Sequence, residues 1–157
     1  MIVVADVSVI LNFLIVDRMD LLGRFRGHFL ATSHVADEIV ASEHKSRFDT
    51  AIIAGLLSVH DGDDAAEVSL FVRLRRAGGL SAGECAALAV AIYGGHRLAI
   101  EANRALPAAL REAGISTPLT ILRTTDIIAS LVLGGGLSAG DGRSLKIRMG
   151  THFGFVP

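Results

Sequence analysis

The sequence predicts an α/β fold with a central parallel sheet that is buried between helices on both faces. Short apolar runs alternate with helical stretches along the whole chain, beginning with Ile2–Ala5. Hydrophobic residues make up 51% of the 157 residues and the mean hydropathy is +0.52, yet no uninterrupted apolar run approaches the roughly 18 residues of a membrane span. Strands buried on both faces are continuously hydrophobic, which accounts for this excess. Strand–helix alternation favours parallel strands joined by right-handed crossovers.

Five strands are predicted, four of them from short apolar runs and one, at residues 58–60, as a minor strand. They cover residues 2–5, 29–31, 58–60, 98–100 and 120–122. Helices are predicted between them from helical spacing and from cap residues, with Asp20 and Ser33 as two of the N-caps. The predicted helices cover residues 9–25 (with a break near 17–20), 34–41, 48–56, 65–76, 84–93, 104–113, 126–133 and 139–149.

Domain organisation follows from the absence of any linker or long repeat. We expect one domain over residues 1–150 and an irregular tail over 151–157. One short repeat occurs, GLSAGE at 79–84 and GLSAGD at 136–141, and we interpret it as two copies of a signature for a helix start.

Composition and charge exclude several classes of function. The N-terminus has no basic segment typical of a signal peptide. The single cysteine, Cys85, allows no disulfide within the chain, which suits a reducing cytoplasm. The six histidines show no zinc-ligand spacing.

The net charge of −1 excludes a strongly basic nucleic-acid binder, so RNA contacts would need local basic groups. Two such groups, with solvated helix faces as the alternative interpretation, are Arg73, Arg75 and Arg76, and Arg143, Lys146 and Arg148.

Four acidic residues are candidates for one site. Asp6 and Glu101 directly follow predicted strands, where α/β sheets bind their ligands, and Glu38 and Glu84 are placed in helices near that edge. Oxygen ligands without His or Cys favour Mg²⁺ or Mn²⁺, and such ions support phosphoryl chemistry. The pattern is therefore that of a metal-dependent nuclease.

Each acid also has a structural interpretation. Asp6 could cap the first helix, and Glu84 completes a capping box with Ser81. Glu38 could be a solvated helix residue, and Glu101 an ordinary acid at a strand end. The joint placement of the four carries the functional hypothesis.

Five segments resemble the motifs of PIN domains, in the same order, over roughly residues 2–149. They are VADVSVILN at 4–12, HVADEI at 34–39, LSAGECAALA at 80–89, LAIE at 98–101 and TILRTTD at 120–126. The third resembles the Gly-Glu variant of its motif.

The resemblance implies a three-layer α/β/α sandwich and a Mg²⁺- or Mn²⁺-dependent ribonuclease, as in VapC-type toxins, which are restrained by a cognate antitoxin and often form homodimers. By motif position, Asp6, Glu38, Glu84 and Glu101 would be the catalytic, metal-binding quartet. Ser8 would help orient Asp6 or a water at the metal, and Asn103 and Asp126 would be supporting residues.

The chain departs from the family at Glu101-Ala102-Asn103, where relatives usually carry Asp. This departure favours a second hypothesis, a catalytically weakened PIN-like module that binds protein or RNA. A third hypothesis, a phosphoacceptor signalling domain, is disfavoured because neither of the two lysines, Lys45 and Lys146, follows a predicted strand.

Overall fold

A five-stranded parallel sheet forms the centre of the computed structural model, which describes residues 1–153. The strand order is β3-β2-β1-β4-β5, and every neighbouring pair is parallel. All five predicted strands are present, with ends shifted by at most one residue. They are β1 Ile2–Ala5, β2 His28–Thr32, β3 Leu57–His60, β4 Arg97–Ala99 and β5 Ile121–Leu122.

Nine helices occur in the described part of the chain. They are α1 Val7–Ile15, α2 Asp20–Arg24, α3 Ser33–Asp37, α4 Ser42–Ile53, α5 Ala65–Ala77, α6 Ala82–Gly94, α7 Leu106–Glu112, α8 Thr124–Leu133 and α9 Ala139–Phe153. Contacts among α1, α4, α8 and α9 form one outer layer, and contacts among α3, α5, α6 and α7 form the other. The predicted α/β/α sandwich is confirmed.

The central strand places Asp6 at the functional edge of the sheet. β1 pairs with β2 and β4, and Val3 and Val4 are completely buried because both faces of the strand are covered. The backbone N–H of Asp6 donates to the carbonyl of Ala99 at 2.8 Å, so Asp6 extends the pairing with β4. Because all strands are parallel, their carboxyl ends lie along this one edge.

Helix α6 packs closely against the sheet because its buried face consists largely of small residues. It contacts β1, β2 and β4. Cys85, Ala87 and Ala91 are fully buried there, and burial raises the pKa of the Cys85 thiol. Cys85 is thus a core residue.

Several helix boundaries differ from the predicted ones. Met19, not Asp20, is the N-cap of α2. Thr32, not Ser33, caps α3, because its hydroxyl accepts from the backbone N–H of Val35 at 3.3 Å. Helix α3 ends at Asp37 and leaves Glu38 just beyond it, whereas the prediction ran to residue 41.

The end of the chain also differs from the prediction. Helix α9 continues to Phe153, past the predicted end at residue 149. The rest of the predicted irregular tail, residues 154–157, lies outside the described residues. Within residues 1–153, no helix combines the length and the apolar character needed to cross a membrane.

Candidate active site

Asp6 lies at the centre of the carboxyl edge of the sheet and is 1% exposed. One carboxylate oxygen, Oδ2, accepts from the backbone N–H of Ser8 at 3.0 Å and from its hydroxyl at 2.6 Å, so Asp6 does cap α1. The other oxygen, Oδ1, is buried and has no hydrogen-bond partner. Burial raises the pKa of Asp6, and the charge of Glu84 raises it further, against the lowering effect of the Ser8 hydrogen bonds.

Glu84 lies in the first turn of α6 and completes the predicted capping box. Its Oε2 accepts from the backbone N–H of Ser81 at 2.8 Å, and the Ser81 hydroxyl accepts from the N–H of Glu84 at 3.1 Å. The other oxygen, Oε1, accepts from the side-chain amide of Asn103. The structural and the functional interpretation of Glu84 are therefore compatible, because one oxygen caps the helix while the other faces Asn103.

Glu38 joins α3 to the beginning of α6. Its Oε1 accepts from the backbone N–H of Gly83 at 2.7 Å. A Cβ added at Gly83 would lie 2.7 to 2.9 Å from the carboxylate atoms of Glu38, so glycine is what permits this approach. Glu38 is thereby held at Gly83, the residue that directly precedes Glu84.

Glu101 is held by two buried polar residues that the sequence analysis did not single out. Its Oε1 accepts from the backbone N–H of Thr124 at 3.1 Å and from the side-chain amide of Asn12 at 3.3 Å. The same Asn12 amide donates to the Thr124 hydroxyl at 2.9 Å. Asn12 is 2% exposed and interrupts the apolar run of α1 from Val9 to Ile15, and this interruption was the available signal for its role.

Ser8 connects two of the candidate acids. Its hydroxyl donates to Asp6 and accepts from the backbone N–H of Glu101 at 3.3 Å. Ser8 thus links the Asp6 carboxylate to the backbone just beyond the end of β4.

The residues fit a hard divalent cation in their donor chemistry. The candidate set is all oxygen, and Asp6 Oδ1 is a buried carboxylate oxygen that lacks a partner. However, no three His, Cys, Asp or Glu side chains among the described residues are grouped closely enough to hold a metal ion. Oε1 of Glu38, of Glu84 and of Glu101 each accepts a hydrogen bond from the protein, so a metal ion would compete with these donors.

A family model described as PIN domain (DUF3368) matches residues 2–125 of the chain. The chain belongs to the PIN-domain family. PIN domains are generally nucleases, bind RNA and typically use divalent metal ions. No curated protein and no solved structure matches this chain significantly.

The expected supporting residues of the PIN domain occupy two different settings. Asn103 contacts Glu84 directly, and its Oδ1 accepts from the N–H of Ala105 at 2.8 Å, which fixes the amide. Asp126 is exposed, and its Oδ2 accepts from the N–H of Arg123 at 2.8 Å at the start of α8. Its observed contact therefore stabilises the helix that contains Thr124.

The candidate basic groups are partly occupied within the PIN domain itself. Arg73 donates to the carbonyl oxygens of Ala113 and Gly114, and Arg75 donates to that of Leu80 at 3.0 Å. Arg148 donates to the carbonyl oxygen of Val16 at 3.1 Å. These arginines hold loops and helix ends, so fewer of their N–H donors are free to bind phosphates, although each keeps its positive charge.

Proposed function

We propose that this PIN-domain protein is a Mg²⁺- or Mn²⁺-dependent endoribonuclease that hydrolyses RNA phosphodiesters at the carboxyl edge of its sheet. The observation that supports this most directly is Asp6, a buried acid with an unpartnered oxygen and a pKa raised by burial and by Glu84. A carboxylate kept in such surroundings costs folding free energy unless a cation compensates it. Acids whose pKa is shifted by burial and by a neighbouring charge are more common at functional sites than elsewhere.

Asp6, Glu38, Glu84 and Glu101 are the residues that would hold the metal. A bound divalent ion supplies Lewis-acid stabilisation of phosphoryl oxygens and activates water as the nucleophile. Ser8 orients Asp6, and Asn103 orients Glu84 through its short amide contact. Asn12 and Thr124 hold Glu101 in place at the end of β4.

A catalytically weakened binding module is the second candidate. Two donors already occupy Oε1 of Glu101, and Asn103 brings an uncharged amide where relatives usually carry an acid. Mg²⁺ requires nearly ideal octahedral geometry, so a longer acid that is already engaged favours weaker binding. Metal affinity separates the two candidates.

The toxin role is a finer form of the proposal. A VapC-like toxin with a cognate antitoxin and a homodimeric state remain predictions from the resemblance. Coexpression with the product of a neighbouring short reading frame, followed by a cleavage assay, tests the antitoxin directly, because a cognate antitoxin must suppress cleavage.

Thermal melting with excess Mn²⁺ and then with EDTA tests the metal site. A ligand that binds only the folded state at a hundredfold excess over its Kd stabilises that state by about 2.7 kcal/mol. We expect Mn²⁺ to raise the Tm of the wild type and Asp6→Asn to abolish the rise. The matched control is Asp49→Asn on the exposed surface of α4, which should respond as the wild type does.

RNA cleavage is then measured with the same three proteins. Metal-dependent cleavage by the wild type and the control, but not by Asp6→Asn, supports the nuclease. If Mn²⁺ does not change the Tm of the wild type and the wild type does not cleave RNA, the nuclease proposal is contradicted and the binding module is favoured.

A further inference from the structure

A cavity of about 200 Å³ lies beside the acidic site. It lies between α3, α5 and α6, beyond the carboxyl ends of β2 and β3. Side chains that line it include Thr32, His34, Glu67, Phe71 and Ala86. The volume is below the roughly 300–1,000 Å³ of pockets for drug-sized ligands, so it suits a single small ring system.

Glu67 is a buried acid among the residues that line this mainly apolar cavity. It is 7% exposed, and its Oε2 lies 2.7 Å from Nε2 of the half-buried His60. A carboxylate can accept about four hydrogen bonds, so one histidine leaves acceptor capacity for a ligand. Gly62 lines the cavity near Oε2 of Glu67. A Cβ added at Gly62 would lie 3.7 Å from that oxygen, which is an ordinary van der Waals distance.

Two aromatic rings border the cavity. The rings of His34 and Phe71 contact each other with centroids 4.8 Å apart and planes inclined by 41°. His34 is exposed and Phe71 is half-buried, so part of this aromatic surface is open to a ligand. Proteins that recognise single-stranded RNA stack unpaired bases on such rings and bind the base edge through polar groups.

The sheet register places the cavity near Asp6. Val4 is in register with Leu30, so Asp6, two residues further on, lies level with Thr32. Thr32 is in turn in register with His60. Adjacent strands are about 4.8 Å apart, which puts the backbone of His60 about 10 Å from that of Asp6.

Helices α3 and α6 independently place the cavity next to the acidic site. His34 borders the cavity and Glu38 belongs to the acidic site, and the two are separated by one helical turn. On α6, Ala86 lines the cavity and Gly83 contacts Glu38, at a separation of about 4.5 Å along the helix axis. The cavity therefore adjoins the acidic site along one continuous edge.

We propose that this cavity binds a guanine base that adjoins the phosphodiester at the acidic site, an inference that rests on the proposed ribonuclease function. Guanine presents two neighbouring donors on its Watson–Crick edge, N1–H and the 2-amino group, and both can donate to the Glu67 carboxylate. Adenine places the acceptor N1 at this position, and uracil offers one donor between two carbonyls. The carboxylate therefore selects guanine, and the rings of His34 and Phe71 stack on it.

Nucleotide binding in EDTA tests the cavity without catalysis. Titrations with guanosine and adenosine 5′-monophosphates, followed by NMR shifts of the folded protein, compare two ligands that differ only in the base. We expect guanosine monophosphate to bind about 5- to 150-fold more tightly, the discrimination typical of a bidentate base contact. Inosine monophosphate, which lacks the 2-amino group, should fall between them.

Three variants assign the binding to the cavity. Glu67→Gln replaces one acceptor by a donor and should remove the preference for guanine. Val68→Phe, at a lining residue that is 45% exposed, should block the cavity with little loss of core packing, so it serves even where Glu67→Gln fails to fold. Glu112→Gln on the exposed surface of α7 is the matched control and should bind as the wild type does.

The outcomes separate this inference from the nuclease proposal. Equal or absent binding of the two nucleotides, or a guanine preference that survives Val68→Phe, overturns the guanine cavity whether or not RNA is cut. If RNA is cut with Mn²⁺, the cut sites should adjoin guanine, and Glu67→Gln should make cleavage indifferent to the base. If RNA is not cut but guanine binds in EDTA, only the nuclease proposal fails.

Discussion

At the scale of single residues, Asp6 combines two roles that oppose each other energetically. Its Oδ2 caps α1 through Ser8, which stabilises the fold, while its Oδ1 is buried without a partner, which destabilises it. Functional sites commonly retain such costs because the same feature that weakens the fold binds a ligand. The charge of Asp6, rather than its shape, is the destabilising part.

We therefore predict that Asp6→Asn is more stable than the wild type at pH 7 in EDTA. The folded state holds the pKa of Asp6 above its ordinary value of 3.8, so as pH rises past 3.8 the unfolded state ionises first and stability is lost. That loss is complete above the folded pKa. The neutral amide keeps an oxygen for the cap and avoids the buried charge, and each kcal/mol gained raises the Tm by about 2–4 °C.

Urea unfolding of both proteins across a pH series measures this effect. The gain from Asp6→Asn should shrink as pH falls toward 3.8, while the exposed Asp49→Asn should show no comparable trend. An Asp6→Asn protein that is less stable than the wild type at pH 7 would show that the carboxylate is not strained in the folded state.

At the scale of elements, the two copies of the short repeat form two helix starts with different surroundings. The prediction that both are helix-start signatures is confirmed, because Ser81 and Ser138 each accept from the backbone N–H three residues later. The acids differ. Glu84 reaches the Ser81 N–H, whereas the shorter Asp141 accepts from the Ser138 hydroxyl. Only the first copy contacts another candidate acid, through Gly83 and Glu38.

This difference yields a matched pair of glycine substitutions. Gly140→Ala meets no contact closer than 3.9 Å and should raise the unfolding free energy by about 0.4–1 kcal/mol through a less flexible unfolded chain. Gly83→Ala brings the same gain but places its Cβ against the Glu38 carboxylate, which must swing away. We expect Gly83→Ala to be the less stabilising of the two and to lose much of the Mn²⁺ response.

Chemical denaturation and Mn²⁺-dependent melting of both variants provide the measurement. Equal stabilisation together with a Mn²⁺ response in Gly83→Ala as large as in Gly140→Ala would show that the Glu38–Gly83 contact is unrelated to metal binding.

At the scale of the whole molecule, charge distribution limits how the protein can hold RNA. The net charge is −1, and Arg18, Arg24 and Arg47 form ion pairs with acidic neighbours. Arg73, Arg75 and Arg148 donate to backbone carbonyls, as described above. Because the net charge is −1 and three arginines are paired with acids, we expect weak overall electrostatic attraction to phosphates, so that recognition depends more on the metal site and on base contacts.

We predict a shallow salt dependence of RNA binding. If about three phosphates or fewer are neutralised, log K against log salt should have a slope no steeper than about −2 for single strands. Fluorescence anisotropy of a labelled RNA in EDTA, from low to high KCl, measures this slope. A slope several times steeper would reveal an extended basic surface that the net charge conceals.

The sequence predicted the presence of every strand, because four of them contain a short apolar run that ends at a polar residue or a turn. The third, β3, includes Ser58 and His60 and was predicted only as a minor strand. It was less successful with helix boundaries, as the early end of α3 and the caps at Met19 and Thr32 illustrate. Two neighbouring residues can often serve as the N-cap. Which of them does so depends on which hydroxyl or carboxylate the surrounding packing aligns with a free backbone N–H.

By itself, the sequence determined the α/β sandwich, the position of Asp6 and Glu101 beyond two strands, and the PIN-domain resemblance, since these depend on periodicity and order along the chain. Only the tertiary structure decided that Asn12 and Thr124 hold Glu101, that Glu38 contacts Gly83, and that Glu67 faces a cavity beside Asp6. Those contacts join residues distant in sequence, such as Asn12 and Glu101. Their partners are set by strand order and helix packing, which no local pattern encodes.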